Sequence, residues 1–242
     1  MTAHTLKQAR QHAGWTQVRL AQALSVSQAY LSLMETGRRR VSDNVARRVT
    51  HLFRLPATAL PLPEPGSVDR MTTDVKVEQG LARLGYPGLA YRRKPGETWH
   101  PAALLLEALA LGNLDARLLE ALPWLLLGFA EFDHPELVAR AKAKDLQNRL
   151  GFTVALAREV AEQNPLYRGR RDDLRRLEEA LELSRLARED TLGRRETSQR
   201  MLAWVRDNRS DAAKHWNLVT DLRAEHLPYA SRDSGTVGQF PS

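Results

Sequence analysis

The chain has 242 residues, 43% of them hydrophobic, and a formal net charge of +7, which is enough for one large or two modest folded domains. The absence of cysteine excludes disulfides and thiolate metal sites and suits a cytoplasmic location. The polar start, Met1 to Arg10, lacks the apolar run of a secretory signal. The most apolar stretch, 101–132, is broken by Glu107, Asp115, Arg117 and Glu120 too often to cross a bilayer, so no membrane partner is expected.

Charge is unevenly spread. Residues 1–60 hold Lys7, Arg10, Arg19, Arg38, Arg39, Arg40, Arg47, Arg48 and Arg54 against only Glu35 and Asp43, so they carry the whole excess. The basic and acidic residues of 61–242 cancel. A solvated surface is the ordinary reading of such a run, and a phosphate-binding face is the functional one.

The local pattern of the same segment decides between them. Thr16 can cap a helix opening at Gln17, with Leu20, Ala21 and Leu24 on its inner face and small Ala21 where a second helix would cross. Ser25-Val26 makes a turn, and Ser27 is a good N-cap for a second helix. Leu31 and Met34 face that helix inward, and Gly37 ends it. Gly14-Trp15-Thr16-Gln17, Leu20-Ala21, Val26-Ser27, Leu31 and Glu35-Thr36-Gly37 resemble the Xre family, the lambda-repressor-like helix-turn-helix proteins, over about Leu6 to Leu60. The resemblance implies a bundle of five helices, with Val45, Val49 and Leu52 of the fourth packing on the helix pair. It also implies a recognition helix from Ser27 to Glu35. Ser25 departs from the family's usual left-handed glycine, at a modest conformational cost.

That placement puts Ser27, Gln28, Ala29 and Ser32 at base edges of a major groove. Gln28 suits adenine N6 and N7, and Ala29 suits a thymine methyl. The resemblance implies that Gln17 and Tyr30 contact phosphates, and that Arg38, Arg39 and Arg40 lie on the phosphate ridge or in a groove. Arg10 and Arg19 are weaker candidates. One helix-turn-helix reads few base pairs, so a homodimer on a palindromic operator in double-stranded DNA is expected.

Prolines mark a linker over 61–72. A helix over Thr73 to Leu84 is followed by turns at 85–88 and 92–96, with a strand conceivable over Leu89 to Arg92. Helices are then expected over Pro101–Leu111, Asp115–Phe132, Pro135–Gln163, Asp172–Thr191 and about Glu196–Asn208. The expected fold is all-α: a five-helix domain at 1–60, the linker, a larger helical partner-binding or dimerisation domain at 73–225, and a mobile tail at 226–242. No period of helical repeats is visible.

No phosphate loop, zinc-protease motif or nucleophile elbow appears, and the seven histidines are dispersed, so no catalytic residue, cofactor or metal site is expected. Glu131-Phe132-Asp133-His134 is the nearest thing to an acid–base group and reads better as helix capping. Trp124 reads as core, and Trp204 and Trp216 as possible partner anchors. Residues 144–152, Lys144 to Phe152, are weakly similar to Xre-type antitoxins paired with AbiE-like nucleotidyltransferase toxins. That similarity implies an autorepressor whose helical domain neutralises a toxin. A ligand-sensing regulator and a DNA-targeted enzyme are the alternatives.

Overall fold

A computed structural model describes residues 1–63, 73–96, 98–130, 132–193 and 198–231. These residues are mostly helical with almost no strand, as expected, and the chain divides into two compact units, Met1–Pro63 and Glu64–Phe240. Most of the proline-rich linker, the residues 194–197 ahead of the last long helix, and the tail from 232 onward lie outside the described residues.

The first unit contains α1 (Ala3–His12), α2 (Gln17–Leu24), α3 (Gln28–Glu35) and α4 (Asp43–Leu52). The fifth element is a single 3-10 turn, Ala57–Ala59, following Pro56, rather than a full helix. Thr2, Thr16, Ser27 and Ser42 each cap a helix, their hydroxyls accepting the N–H three residues on. The core joins Leu6 and Ala9 of α1 to Leu20, Ala21, Leu24, Leu31 and Met34 of the helix pair, with Val45, Ala46 and Val49 of α4. Leu52 was expected inside but is 39% exposed, and Ala46 takes the inward position. At one residue per 100°, Ala46 shares a face with Val45 and Val49, while Leu52 falls at the fraying end.

The second unit is built on α9 (Gln147–Gln163), which is buried along most of its length. Against it pack α6 (Pro101–Ala110), α7 (Ala116–Gly128), α8 (His134–Ala143), α10 (Arg171–Glu182) and α12 (Asp211–His215), while α5 (Asp74–Leu84) packs on α6 and α7; the unit also holds α11 (Gln199–Asp207) and 3-10 turns at Pro87–Arg92, Pro165–Arg170 and Ala224–His226. Two short parallel strands, β1 (Asp190–Thr191) and β2 (Leu218–Val219), pair Asp190 with Leu218 and Thr191 with Val219. Gly151 of α9 lies against the ring of fully buried Trp216, so close that a Cβ would overlap it.

Four expectations change here. The strand conceivable at Leu89–Arg92 is a 3-10 turn, and the strands lie elsewhere. The long helix over Pro135–Gln163 is two helices, because Asp145 adopts φ 56° and the Leu146 N–H closes onto the Ala141 carbonyl at 2.8 Å. An apolar period carries no mark of that reversal. The helix over Asp172–Thr191 ends at Glu182, and the buried Asn148 amide takes both backbone groups of Leu186, at 2.8 and 2.9 Å, drawing the chain off the helix axis. Finally, the chain stays packed past His226: Leu227 and Ala230 are buried, and the Tyr229 hydroxyl donates to the Glu120 carbonyl at 2.6 Å.

Candidate nucleic-acid interface

In the first unit, α2 and α3 are joined by Ser25, which takes the left-handed conformation (φ 54°, ψ 45°) that its position demands. Its N–H and that of Val26 return to α2, bonding the Gln22 and Ala21 carbonyls at 3.0 Å each. Arg48 of α4 closes the same helix end from outside, donating to the Leu24 and Ala23 carbonyls at 2.6 and 2.7 Å. The guanidinium satisfies orphan carbonyls and faces the negative end of the helix dipole. Arg48 was counted from the sequence as part of the phosphate-binding charge, and the structure uses it to hold the turn.

The exposed side of α3 presents Ser27, Gln28 and Ala29, with Ser32 and Tyr30 half-buried beside them. Ser27 Oγ accepts the Tyr30 N–H at 3.1 Å as the N-cap, and its own hydroxyl proton is free to turn outward.

Gln28 is held by a chain of hydrogen bonds that begins in the core. Arg10 grips Glu35 bidentately, at 2.7 and 2.9 Å, and donates its remaining arm to the Trp15 carbonyl at 2.8 Å. Gln17 Nε2 donates to Glu35 Oε2 at 2.9 Å, and Gln28 Nε2 donates to Gln17 Oε1 at 2.7 Å. Each amide nitrogen carries two protons, so the bond to Gln17 leaves Gln28 one N–H and its Oε1. That remaining donor–acceptor pair is the one a bidentate contact to adenine requires. Gln17 also opens α2, where the first backbone N–H groups lack helical acceptors and face an anion favourably.

Glu35 is only 7% exposed. Burial pushes its carboxyl up, but the hydrogen bonds from Arg10 and Gln17 and the charges of Arg10 and Lys7 outweigh that and hold it below the usual carboxylate range. Arg10, raised by the same partner, is likewise turned inward, so the weaker phosphate role considered for it gives way to an internal one. Glu35 was missed as a functional residue from sequence. Its signal was present, because a lone acid beside inward-facing Leu31 and Met34 requires a cation.

After α3 the chain turns at Gly37, φ 71°, and the Arg39 N–H reaches back to the Leu33 carbonyl at 3.0 Å. Arg38, Arg39 and Arg40 are all exposed on this turn. The Arg39 guanidinium lies over the Tyr30 ring, 4.7 Å from its centroid, which aligns it beside α3. Arg19 lies over Trp15 in the same way, at 4.1 Å.

The other sequence-level candidates fall in the second unit. Asp133 caps α8, accepting the Glu136 N–H at 3.0 Å, and His134 stands 3.3 Å from Asp173; Glu131 lies outside the described residues. Among the described residues no group of three or more His, Asp and Glu could hold a metal ion, and no helix is long and apolar enough to cross a membrane. Trp216 is core and cannot anchor a partner, whereas Trp204 is 55% exposed on α11 beside exposed Met201. In the segment 144–152, Leu146, Gln147, Asn148, Leu150 and Phe152 are all buried and Arg149 is paired with Asp190, so its distinctive residues hold the fold.

Comparison with known proteins adds one match and two blanks. No curated protein and no solved structure matches the chain. A family model described as a helix-turn-helix domain matches residues 3–62, about a quarter of the chain and the whole of α1 to α4, so this protein carries a helix-turn-helix domain at its N-terminus.

Proposed function

We propose that the protein is a sequence-specific, DNA-binding transcriptional repressor that docks α3 in the major groove of a palindromic operator as a homodimer. The observation that carries this reading is the Arg10–Glu35–Gln17–Gln28 chain, which fixes the Gln28 amide with its outer donor and acceptor exposed on a basic surface. Such a fixed amide loses little freedom on meeting a base, and preorganisation of this kind favours specific over non-specific contact. Ser27, Ala29 and Ser32 flank it at base edges; Gln17, Tyr30, Arg38, Arg39 and Arg40 grip phosphates. A cytoplasmic site of action belongs to the same reading.

The second unit serves in this proposal as the dimerisation or partner-binding part, and no catalysis is assigned to it. Asp133 and His134 already have capping and pairing work. The toxin-neutralising reading has little support, since the segment that suggested it is buried.

Selection of duplexes from a random pool by the full-length protein tests the proposal. The expected outcome is an enriched inverted repeat with half-sites about one helical turn apart. Gln28→Ala then costs about 1–3 kcal/mol on that site and relaxes one position per half-site. Enrichment of no sequence, with binding unaffected by Gln28→Ala, refutes it.

A further inference from the structure

Most arginines of the second unit are paired with acids. Arg149 meets Asp190, Arg158 meets Glu178, Arg170 meets Asp173 and Arg206 meets Glu189. That pairing matches the near-zero net charge of 61–242. One stretch of the unit is rich in cations, although its Arg92 is itself paired with Glu78. Between Glu78 and Glu97 the chain holds Arg83, Arg92, Arg93 and Lys94 and not a single acid.

The structure gathers these cations on one exposed turn. The 3-10 turn Pro87–Arg92 is anchored from beneath by buried Tyr86 and Leu89. Beyond it, Arg83 reaches across from α5 to bond the carbonyls of Lys94 and Pro95 at 3.2 and 3.4 Å. The guanidinium is thus committed to shaping the loop, and it adds positive charge behind it. On the outside, Tyr91 is 75% exposed, with Arg92 lying 5.5 Å from its ring centroid and 3.3 Å from Glu78. Arg93 and Lys94 are exposed, and neither side chain has an acidic partner among the described residues. An exposed aromatic ring set among cations, on a turn braced from behind, suits a phosphate backbone better than it suits water alone.

We infer that the turn Tyr91–Lys94 is a second phosphate-binding surface, through which the helical unit touches duplex DNA beside the segment bound by the helix-turn-helix domain. This inference rests on the DNA-binding reading proposed above. Both units belong to one chain, so binding of the first to a duplex raises the local concentration of phosphate around the second. Arg93 and Lys94 each neutralise one phosphate, and the Tyr91 and Arg92 pair orients the backbone between them.

The salt dependence of binding by the full chain tests this. The parent and Arg93→Ala/Lys94→Ala are titrated against a random-sequence duplex of about 40 base pairs from about 50 to 200 mM salt. Removal of two phosphate contacts makes the log K against log salt slope shallower by about 1.8, so the parent's advantage grows about tenfold toward the low-salt end. Both side chains are exposed, and an unchanged melting temperature confirms an intact fold. The charge-preserving swap Arg93→Lys/Lys94→Arg keeps the parental slope, as does Arg175→Ala, which removes a paired cation of α10.

An unchanged slope in the double variant, with the parent still binding duplex steeply, overturns this inference alone and leaves the helix-turn-helix reading standing. An equal loss in Arg175→Ala also overturns it, by showing that only bulk charge matters. A parent that ignores duplex at low salt overturns both.

Discussion

Replacing Glu35 by alanine tests the internal brace of the DNA-binding unit. The change strands the Arg10 guanidinium, whose side chain is only 12% exposed, and leaves Gln17 without an acceptor for its amide. Breaking a buried ion pair by removing one partner costs about 3–5 kcal/mol. Arg10 keeps its bond to the Trp15 carbonyl, so the expected loss is about 2–4 kcal/mol. A unit of 63 residues has a stability of about 3–9 kcal/mol, so this is a large share.

Hydrogen exchange read peptide by peptide in the full chain localises the effect, with faster opening expected within Met1–Pro63 and unchanged protection in α9. The pH dependence supplies a second, independent readout. Since the folded Glu35 carboxyl is held below its unfolded value, its contribution is complete above the ordinary carboxylate range and is lost as pH falls through the lower folded value. The gap between parent and Glu35→Ala therefore narrows in acid, from the parent's side. A loss under about 1 kcal/mol at neutral pH, or a gap that does not change in acid, would refute the brace.

Other outcomes follow from the same geometry. Arg39→Ala, which leaves the Tyr30 ring uncovered, is expected to weaken binding to all duplex sequences and make the salt slope shallower by about 0.9, measured by anisotropy titration. Ser25→Gly relieves a left-handed serine at φ 54° and is expected to stabilise the first unit by up to about 1 kcal/mol in urea unfolding; destabilisation would show that the serine is not strained. Gly151→Ala drives a methyl into the Trp216 ring, with an expected loss of about 1–3 kcal/mol in the second unit and a shifted Trp216 environment in near-UV circular dichroism.

Local chemistry was enough to place the helix pair. Thr16, Ser27 and Gly37 punctuate it at the right places, and Leu20, Ala21, Leu24, Leu31 and Met34 are buried as their spacing requires. Caps, turns and a helical period are properties of a few consecutive residues, so they can be read without the rest of the chain. The larger unit was legible only as helical. Its breaks at Asp145 and after Glu182 depend on a left-handed residue and on a buried amide 38 positions away from its backbone partner, neither of which an apolar period encodes.

The candidate interface divides along the same line. That Gln28 lies at the exposed start of α3 follows from the sequence, because a cap and a period set which residues face outward. That its amide is held in place by Gln17, Glu35 and Arg10 does not follow, because those four residues come from three helices and meet only when the helices cross. The sequence by itself determined which segment is a helix-turn-helix and where its positive charge lies. Only tertiary structure decided which cations stay on the surface, because a guanidinium turned inward to Glu35 or onto the carbonyls of α2 is lost to any phosphate, and long-range packing makes that choice.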